Sequence, residues 1–294
     1  MKPLLSFIGF GEAAYHIATG LKSAGMDAML AFDIRQNDGE IGAQIRERAS
    51  KAGVTLAPTQ QEACGDASFI ASLTSGKAAL AVATSVFGHL KAGQVYVDMN
   101  SAAPTVKAEM AALPRPSGVL FCDAAVMNTV PGNGHKVPML LAGDGSKAFY
   151  EAMTPHGMNL TVLDIAPGGA SAIKMFRSVF MKGLPQLMME AMLPAIKYGA
   201  LDALTDSLNE SLYQKTVRQL ADNLLARTLL HAERRAHEMT DAIATLEDMG
   251  LDASMSRGTR ERLEQQARLE LGDKIRGNEK MGSKEALDLM LNPA

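Results

Sequence analysis

The chain has 294 residues, 47% of them hydrophobic and 21% charged, which is enough length and apolar content for two packed domains and excludes a disordered chain. A net charge of −3 gives no electrostatic reason to expect nucleic acid, and no apolar run approaches the roughly 18 residues that would span a bilayer. The start of the chain lacks the long apolar region of a signal peptide, so a cytoplasmic protein is expected, with Cys64 and Cys122 as reduced thiols. The two cysteines are far apart and no ligand spacing is present, so no metal is expected. Of the 19 methionines, five crowd into residues 175–192, where they read as adaptable core filler.

In chain order, residues 4–8 are an apolar run that reads as a first strand. Gly9-Phe10-Gly11-Glu12-Ala13-Ala14 follows, and then an amphipathic helix to residue 24. A strand, a tight glycine turn and a helix suit a nucleotide pyrophosphate. Gly9 permits the sharp turn, Gly11 leaves room for close backbone approach, and the small Ala14 lets helix pack on strand. The free N–H groups at the helix start then face the phosphates.

Residues 28–32 read as the second strand and end at Asp33. An acidic residue there accepts from a ribose 2′-hydroxyl and disfavours a 2′-phosphate, so NAD is the expected cofactor. Arg35, two residues on, leaves NADP possible. Residues 38–52 read as a helix stopped by Gly53, 54–57 and 67–73 as strands, 77–90 as a helix and 94–99 as a strand. Residues 105–112 read as a helix begun by Pro104, and 119–125, 139–142 and 160–163 as later strands. This alternation predicts an α/β fold, a doubly wound and mostly parallel sheet of Rossmann type. Ligands sit beyond the carboxyl ends of such strands, so Gly9, Asp33, Thr74 and Asn100 should line one crevice. The expected cofactor contacts are Gly9, Phe10, Gly11, Glu12, Ala13, Asp33, Arg35, Thr74 and Asn100.

After Pro167-Gly168-Gly169 the β pattern ends. Apolar residues recur at helical spacing through 170–198, 203–230, 232–249 and 258–271, with a short helix at 284–291. The expected division is therefore a dinucleotide-binding domain, residues 1–166, and an all-helical substrate and dimerisation domain, residues 167–294. Pro185 predicts a kink or break near 183–185.

Three further motifs follow the glycine turn: Asp98-Met99-Asn100-Ser101-Ala102-Ala103-Pro104, Asp123-Ala124-Ala125-Val126-Met127-Asn128-Thr129, and Gly168-Gly169-Ala170-Ser171-Ala172-Ile173-Lys174. Together they resemble the β-hydroxyacid dehydrogenase superfamily, which holds 3-hydroxyisobutyrate and 6-phosphogluconate dehydrogenases. The family patterns are D-x-S-[ST]-x-x-P, D-A-P-V-S-G-G and G-x-G-x-x-x-K. The resemblance covers nearly the whole chain and points to a poorly characterised phosphogluconate-dehydrogenase-like branch with a distinctive helical C-terminal domain.

The resemblance implies an NAD(P)-dependent dehydrogenase acting on the CH–OH group of a β-hydroxyacid, or on the matching oxo acid, with Lys174 as acid/base. It places Ser101, Asn128, Thr129, Ser178, Lys182 and His237 as substrate contacts, and it implies a homodimer paired through the helical domain. Met127-Asn128-Thr129 departs from the family's Ser-Gly-Gly, whose bare backbone N–H groups hold a substrate carboxylate. Ser178 stands where an asparagine is usual, and His237-Glu238-Met239 where K-D-L is usual. A depressed lysine pKa would suit base chemistry, and Lys182 is the cation expected near Lys174, with His237 as a second candidate. Imine reductases share the expected fold but generally lack a lysine at this position. A non-catalytic nucleotide sensor is the other alternative, kept open by the altered Met127-Asn128-Thr129.

Overall fold

A computed structural model describes residues 4–278 and 281–293. The chain divides into two compact units, residues 1–179 and 180–294.

The first unit is built on an eight-stranded sheet. Its elements are β1 (Leu5–Ile8), α1 (Glu12–Ser23), β2 (Met29–Phe32), α2 (Gly39–Ala52), β3 (Val54–Leu56), α3 (Gln60–Cys64), β4 (Phe69–Ser72), α4 (Ala79–Phe87), β5 (Val95–Asp98), α5 (Pro104–Ala112), β6 (Leu120–Val126), β7 (Met139–Ala142), α6 (Ser146–Met153) and β8 (Leu160–Val162). The strand order is β3-β2-β1-β4-β5-β6-β7-β8. The first six strands are parallel, as the strand–helix alternation requires. Strand β7 runs antiparallel to β6, because the connection between them holds only a 3₁₀ turn at Gly134–Lys136 and no crossover helix. The order reverses between β1 and β4, and a crevice opens there beyond the carboxyl ends of the strands.

Side chains alternate across the sheet and feed two apolar layers. Phe7 and Leu5 of β1, Val95 and Val97 of β5, and Cys122 and Ala124 of β6 pack with Ile17 and Leu21 of α1. Ile8, Tyr96 and Phe121 point the other way, against Ala83 and Val86 of α4 and Met110 of α5. Tyr96 and Phe121 stack with ring centroids 6.2 Å apart. Two residues further along their strands, on that same face, come Asp98 and Asp123. Both cysteines are buried and unpaired, and burial pushes each thiol up to about 12.

The helical part begins with α7 (Gly169–Lys197), which crosses the division between the units. Of the kink or break expected at Pro185, the break does not occur. Helix α7 runs through both Pro185 and Pro194, since each proline removes a single backbone donor and the long flanks hold the remaining ladder. The stretch expected as one helix over residues 203–230 is instead two, α8 (Leu201–Leu212) and α9 (Val217–Leu230). Local chemistry overrides the apolar periodicity here. Gln214 adopts a left-handed φ of 59°, and Thr216 and Gln219 form a reciprocal capping box that starts a new helix. The chain ends with α10 (Ala232–Asp248), α11 (Ser254–Ala267), α12 (Gly272–Ile275) and α13 (Ser283–Leu291). Within the second unit the Glu190 carboxylate accepts from the N–H groups of Met255 and Ser256, at 2.8 and 2.7 Å, and so caps α11. No helix among the described residues is long and apolar enough to cross a membrane.

Candidate active site

The glycine turn has the shape a pyrophosphate needs. Gly9 sits at φ +88°, and a Cβ there would lie 2.5 Å from the carbonyl oxygen of Leu73, so the turn passes directly over the end of β4. A Cβ on Gly11 would meet nothing within 4 Å, which leaves open space at the helix start. No side chain caps α1, and the hydrogen bond from Tyr15 N–H to the Gly11 carbonyl closes its first turn. The N–H groups of Glu12 and Ala13 are therefore free to face an anion. These features fit the diphosphate of a dinucleotide.

Asp33 and Asn100 have structural duties beyond those read from the sequence. Asp33 accepts from Phe10 N–H at 2.8 Å through one carboxylate oxygen and from Arg35 N–H at 2.9 Å through the other. It ties the end of β2 to the glycine turn and keeps spare lone pairs for ribose hydroxyls. The Arg35 guanidinium is exposed and lies 3.3 Å from Asp38. The Asn100 amide donates to Ser72 Oγ at 2.9 Å and to Asp98 Oδ2 at 2.8 Å, while its oxygen accepts from Thr74 N–H at 2.6 Å. Both Asn100 amide hydrogens are thus committed, and the Thr74 hydroxyl donates to Asn100 Oδ1 at 3.3 Å, so Thr74 offers a ligand only its hydroxyl lone pairs.

On the loop after β6, Asn128 Oδ1 accepts the N–H of Thr129 at 2.9 Å. Asn128 thus occupies a backbone donor that the family's Ser-Gly-Gly would leave bare. The Arg177 guanidinium donates to the Met127 carbonyl at 3.3 Å and brings a cation to the same loop. Ser101 is exposed, and its carbonyl lies 2.2 Å from where a Cβ on Gly76 would be, so the loops after β4 and β5 touch. Ser178 donates its hydroxyl hydrogen back to the Lys174 carbonyl at 3.0 Å, which leaves only its lone pairs for a ligand. Lys182 and His237 both belong to the second unit and are exposed there.

Beneath these loops lies a charged cluster that the sequence reading missed. Asp98 and Asp123 are register partners on the neighbouring parallel strands β5 and β6, and both are fully buried. Lys107 of α5, also fully buried, bridges them. Its ammonium reaches Asp98 Oδ1 at 2.5 Å, the Asp98 carbonyl at 2.8 Å and Asp123 Oδ1 at 3.1 Å. Asp123 then caps α7, accepting from Gly168 N–H at 3.0 Å, Ser171 N–H at 3.3 Å and Ser171 Oγ at 2.9 Å. One sign was available in the sequence. Lys107 shares a helical face with Met110, three residues on, so it sits where an apolar residue would be expected.

Lys174 is half-buried, one turn beyond Ser171 on α7. Burial chiefly, and then the positive charge of Lys107, hold its pKa below the ordinary lysine value, while Asp123 pulls the other way. Within the first unit the cation acting on Lys174 is Lys107, where the sequence had pointed to Lys182 or His237.

Residues 5–159 match the model for the NAD binding domain of 6-phosphogluconate dehydrogenase, and residues 195–266 match a domain of unknown function, DUF1932. The chain belongs to the β-hydroxyacid dehydrogenase superfamily. A conserved hypothetical protein from Sinorhizobium meliloti 1021 is 35% identical, covering 100% of this chain and 97% of its own, with a TM-score of 0.64. A second conserved protein, described as structurally similar to 3-hydroxyacid dehydrogenases, is 25% identical over 91% of this chain and 98% of its own, with a TM-score of 0.63. An imine reductase from Aspergillus terreus shares the fold with a TM-score of 0.74 at 17% identity, covering 98% of this chain and 99% of its own. The first domain of this superfamily member is accordingly a Rossmann-type NAD-binding domain.

The depressed pKa of Lys174 has a consequence for stability. Between its folded pKa and the ordinary value of 10.5, the unfolded chain binds more protons than the native one, so stability rises with pH across that window. Below the window the native state carries the cost of a partly buried ammonium. Lys174→Met should therefore raise the thermal midpoint at pH 7, and the difference from wild type should shrink as the pH approaches 10.5. Circular-dichroism melts of both proteins across that range measure it, and a gain that does not change with pH would contradict this account.

Proposed function

We propose that the protein is a nicotinamide-dependent oxidoreductase acting on a β-hydroxyacid or the matching oxo acid, with Lys174 as the acid/base. The observation that carries this reading is Lys174 itself, half-buried one turn from a capped helix start and held below its ordinary pKa by burial and a neighbouring cation. Oxidation of a secondary alcohol must dispose of the hydroxyl proton, and a lysine that is neutral part of the time takes it; reduction returns it. The bound nicotinamide supplies or accepts the hydride. Ser101 and the Asn128–Thr129 loop orient the substrate. Because Asn128 holds the Thr129 N–H, the substrate's anionic group is met by side chains: the Asn128 amide, the Thr129 hydroxyl and the Arg177 guanidinium. The expected substrate is a small hydroxyacid whose carboxylate is separated by one carbon from the carbon being oxidised. A screen of β-hydroxyacids that follows the absorbance of the reduced nicotinamide should find one. With that substrate, Lys174→Ala should lower kcat by about 100-fold or more, the scale of general acid–base catalysis, and leave the NAD dissociation constant within a few-fold. Turnover that survives within a few-fold would remove Lys174 from this role.

Asp33 sets the cofactor preference in this reading. It stands at the end of β2, where a carboxylate in this kind of fold accepts from the ribose 2′-hydroxyl and repels a 2′-phosphate, and the Arg35 guanidinium is paired with Asp38. NAD should give the higher kcat/KM, and a clear advantage for NADP would overturn the assignment.

The protein is further proposed to be a homodimer. Helix α7 spans 29 residues, and its only buried positions are Ala170 and Ser171. Leu187, Met188, Leu193 and Ile196 are all exposed along it. A helix that is apolar around its circumference is a buried helix, and a twofold copy of the same surface supplies a matching face. Light scattering at micromolar concentration should return twice 31.2 kDa, and the monomer mass would contradict the proposal.

A further inference from the structure

Lys107 stands outside the motifs, touches no open crevice and is fully buried, yet it is the hub of the charged cluster. Its neighbours form a continuous series. Ser72, at the end of β4, accepts from Asn100; Asn100 donates to Asp98; Lys107 bridges Asp98 to Asp123; and Asp123 holds Gly168 and Ser171 at the start of α7. Gly168 reinforces the joint. It sits at φ +93°, and a Cβ there would lie 2.5 Å from the Pro104 carbonyl, so α7 begins hard against the first residue of α5. Lys107 follows Pro104 by one helical turn, and Lys174 follows Ser171 by one turn, so each of the two clamped helix starts carries a lysine one turn on.

We propose that Lys107 is a positioning residue for Lys174: clamped between Asp98 and Asp123, it holds the carboxylate that caps α7 and so fixes the helical turn that leads to the second lysine. This rests on the reading of Lys174 as acid/base. The core alone does not require the cluster, since apolar residues of the same volume commonly replace a buried ion network without loss of stability. The clamped ammonium differs from an apolar residue in one respect that matters outside the core: it disfavours a second ammonium nearby. The charged groups around Lys174 in the first unit are Lys107 from α5 and Asp123 from β6, with Asp98 of β5 beyond Lys107. On its own helix Arg177 follows three residues later, directed at the Met127 carbonyl.

The test reads Lys174 directly and needs neither substrate nor turnover, so it stands or falls separately from the proposed activity. The full-length protein is reductively methylated with 13C-formaldehyde, and the Lys174 signal is assigned by its loss in Lys174→Arg. Its NMR titration is then followed in wild type, Lys107→Gln and Asp123→Asn, with the fold of each checked by circular dichroism. Charges of the second unit are the same in all three. In Lys107→Gln the Lys174 midpoint should move up by about one pH unit or more, because the nearby cation is gone and two carboxylates remain. In Asp123→Asn it should move down, because the opposing carboxylate is gone. Opposite displacements from two changes in one cluster are not produced by simple loosening of the fold. If Lys107→Gln does not fold, Lys107→Met, which keeps the length and removes the charge, is read in its place, and the same upward displacement is expected. An unchanged midpoint in either folded variant would overturn the proposal.

Discussion

Two aspartates opposite one another on adjacent buried strands are an electrostatic conflict, and the way this chain resolves it organises everything around the crevice. Asp98 and Asp123 are register partners on β5 and β6, with no solvent to screen them. Side by side, two carboxylates would drive one another toward protonation. Lys107 enters from α5 and satisfies both, so neither charge is left alone in the core. The remaining acceptor capacity of each carboxylate is directed outward, Asp98 to Asn100 and Asp123 to the first turn of α7. A buried ion network of this kind is weak evidence for stability in itself. Its value lies in how many separate chain segments it obliges to meet.

Those segments are the ones that carry the proposed chemistry. Asn100 secures the Thr74 loop at the edge of the cofactor crevice, and Asp123 secures the helix that bears Lys174. Asp33 plays a similar part on the other side, joining the end of β2 to Phe10 in the glycine turn. The dinucleotide end and the acid/base end of the site are thus tied through side chains that stand beneath the surface rather than on it. Geometry at a reacting centre depends on supports of this kind, since small displacements of a catalytic group are costly in rate.

The loop after β6 shows where this chain departs from its family. A glycine pair would leave backbone donors open to a carboxylate. Here Asn128 folds back on Thr129, and Arg177 leans on Met127. Under the proposed function, a substrate anion at this loop would meet longer side chains where the family offers bare backbone.

Much of the fold, and the placement of several candidate site residues at the ends of its elements, was legible in the sequence. Strand–helix alternation, the glycine turn and the acidic residue after the second strand are local patterns, and local patterns survive translation into structure because each rests on backbone conformation and spacing. Gly9 and Asp33 therefore stand at the ends of β1 and β2, and Lys174 near the start of α7, as the element pattern predicts. The split between α8 and α9 was written in Thr216 and Gln219, but a continuous apolar rhythm hid it. Pro185 does not end its helix, since one lost donor does not stop a helix with strong flanks. What the sequence by itself determined was the set of elements and the residues at their ends. Only the tertiary structure decided that Asp98 faces Asp123, that Lys107 closes the gap and that its charge reaches Lys174, because register and facing depend on how strands far apart in the chain align.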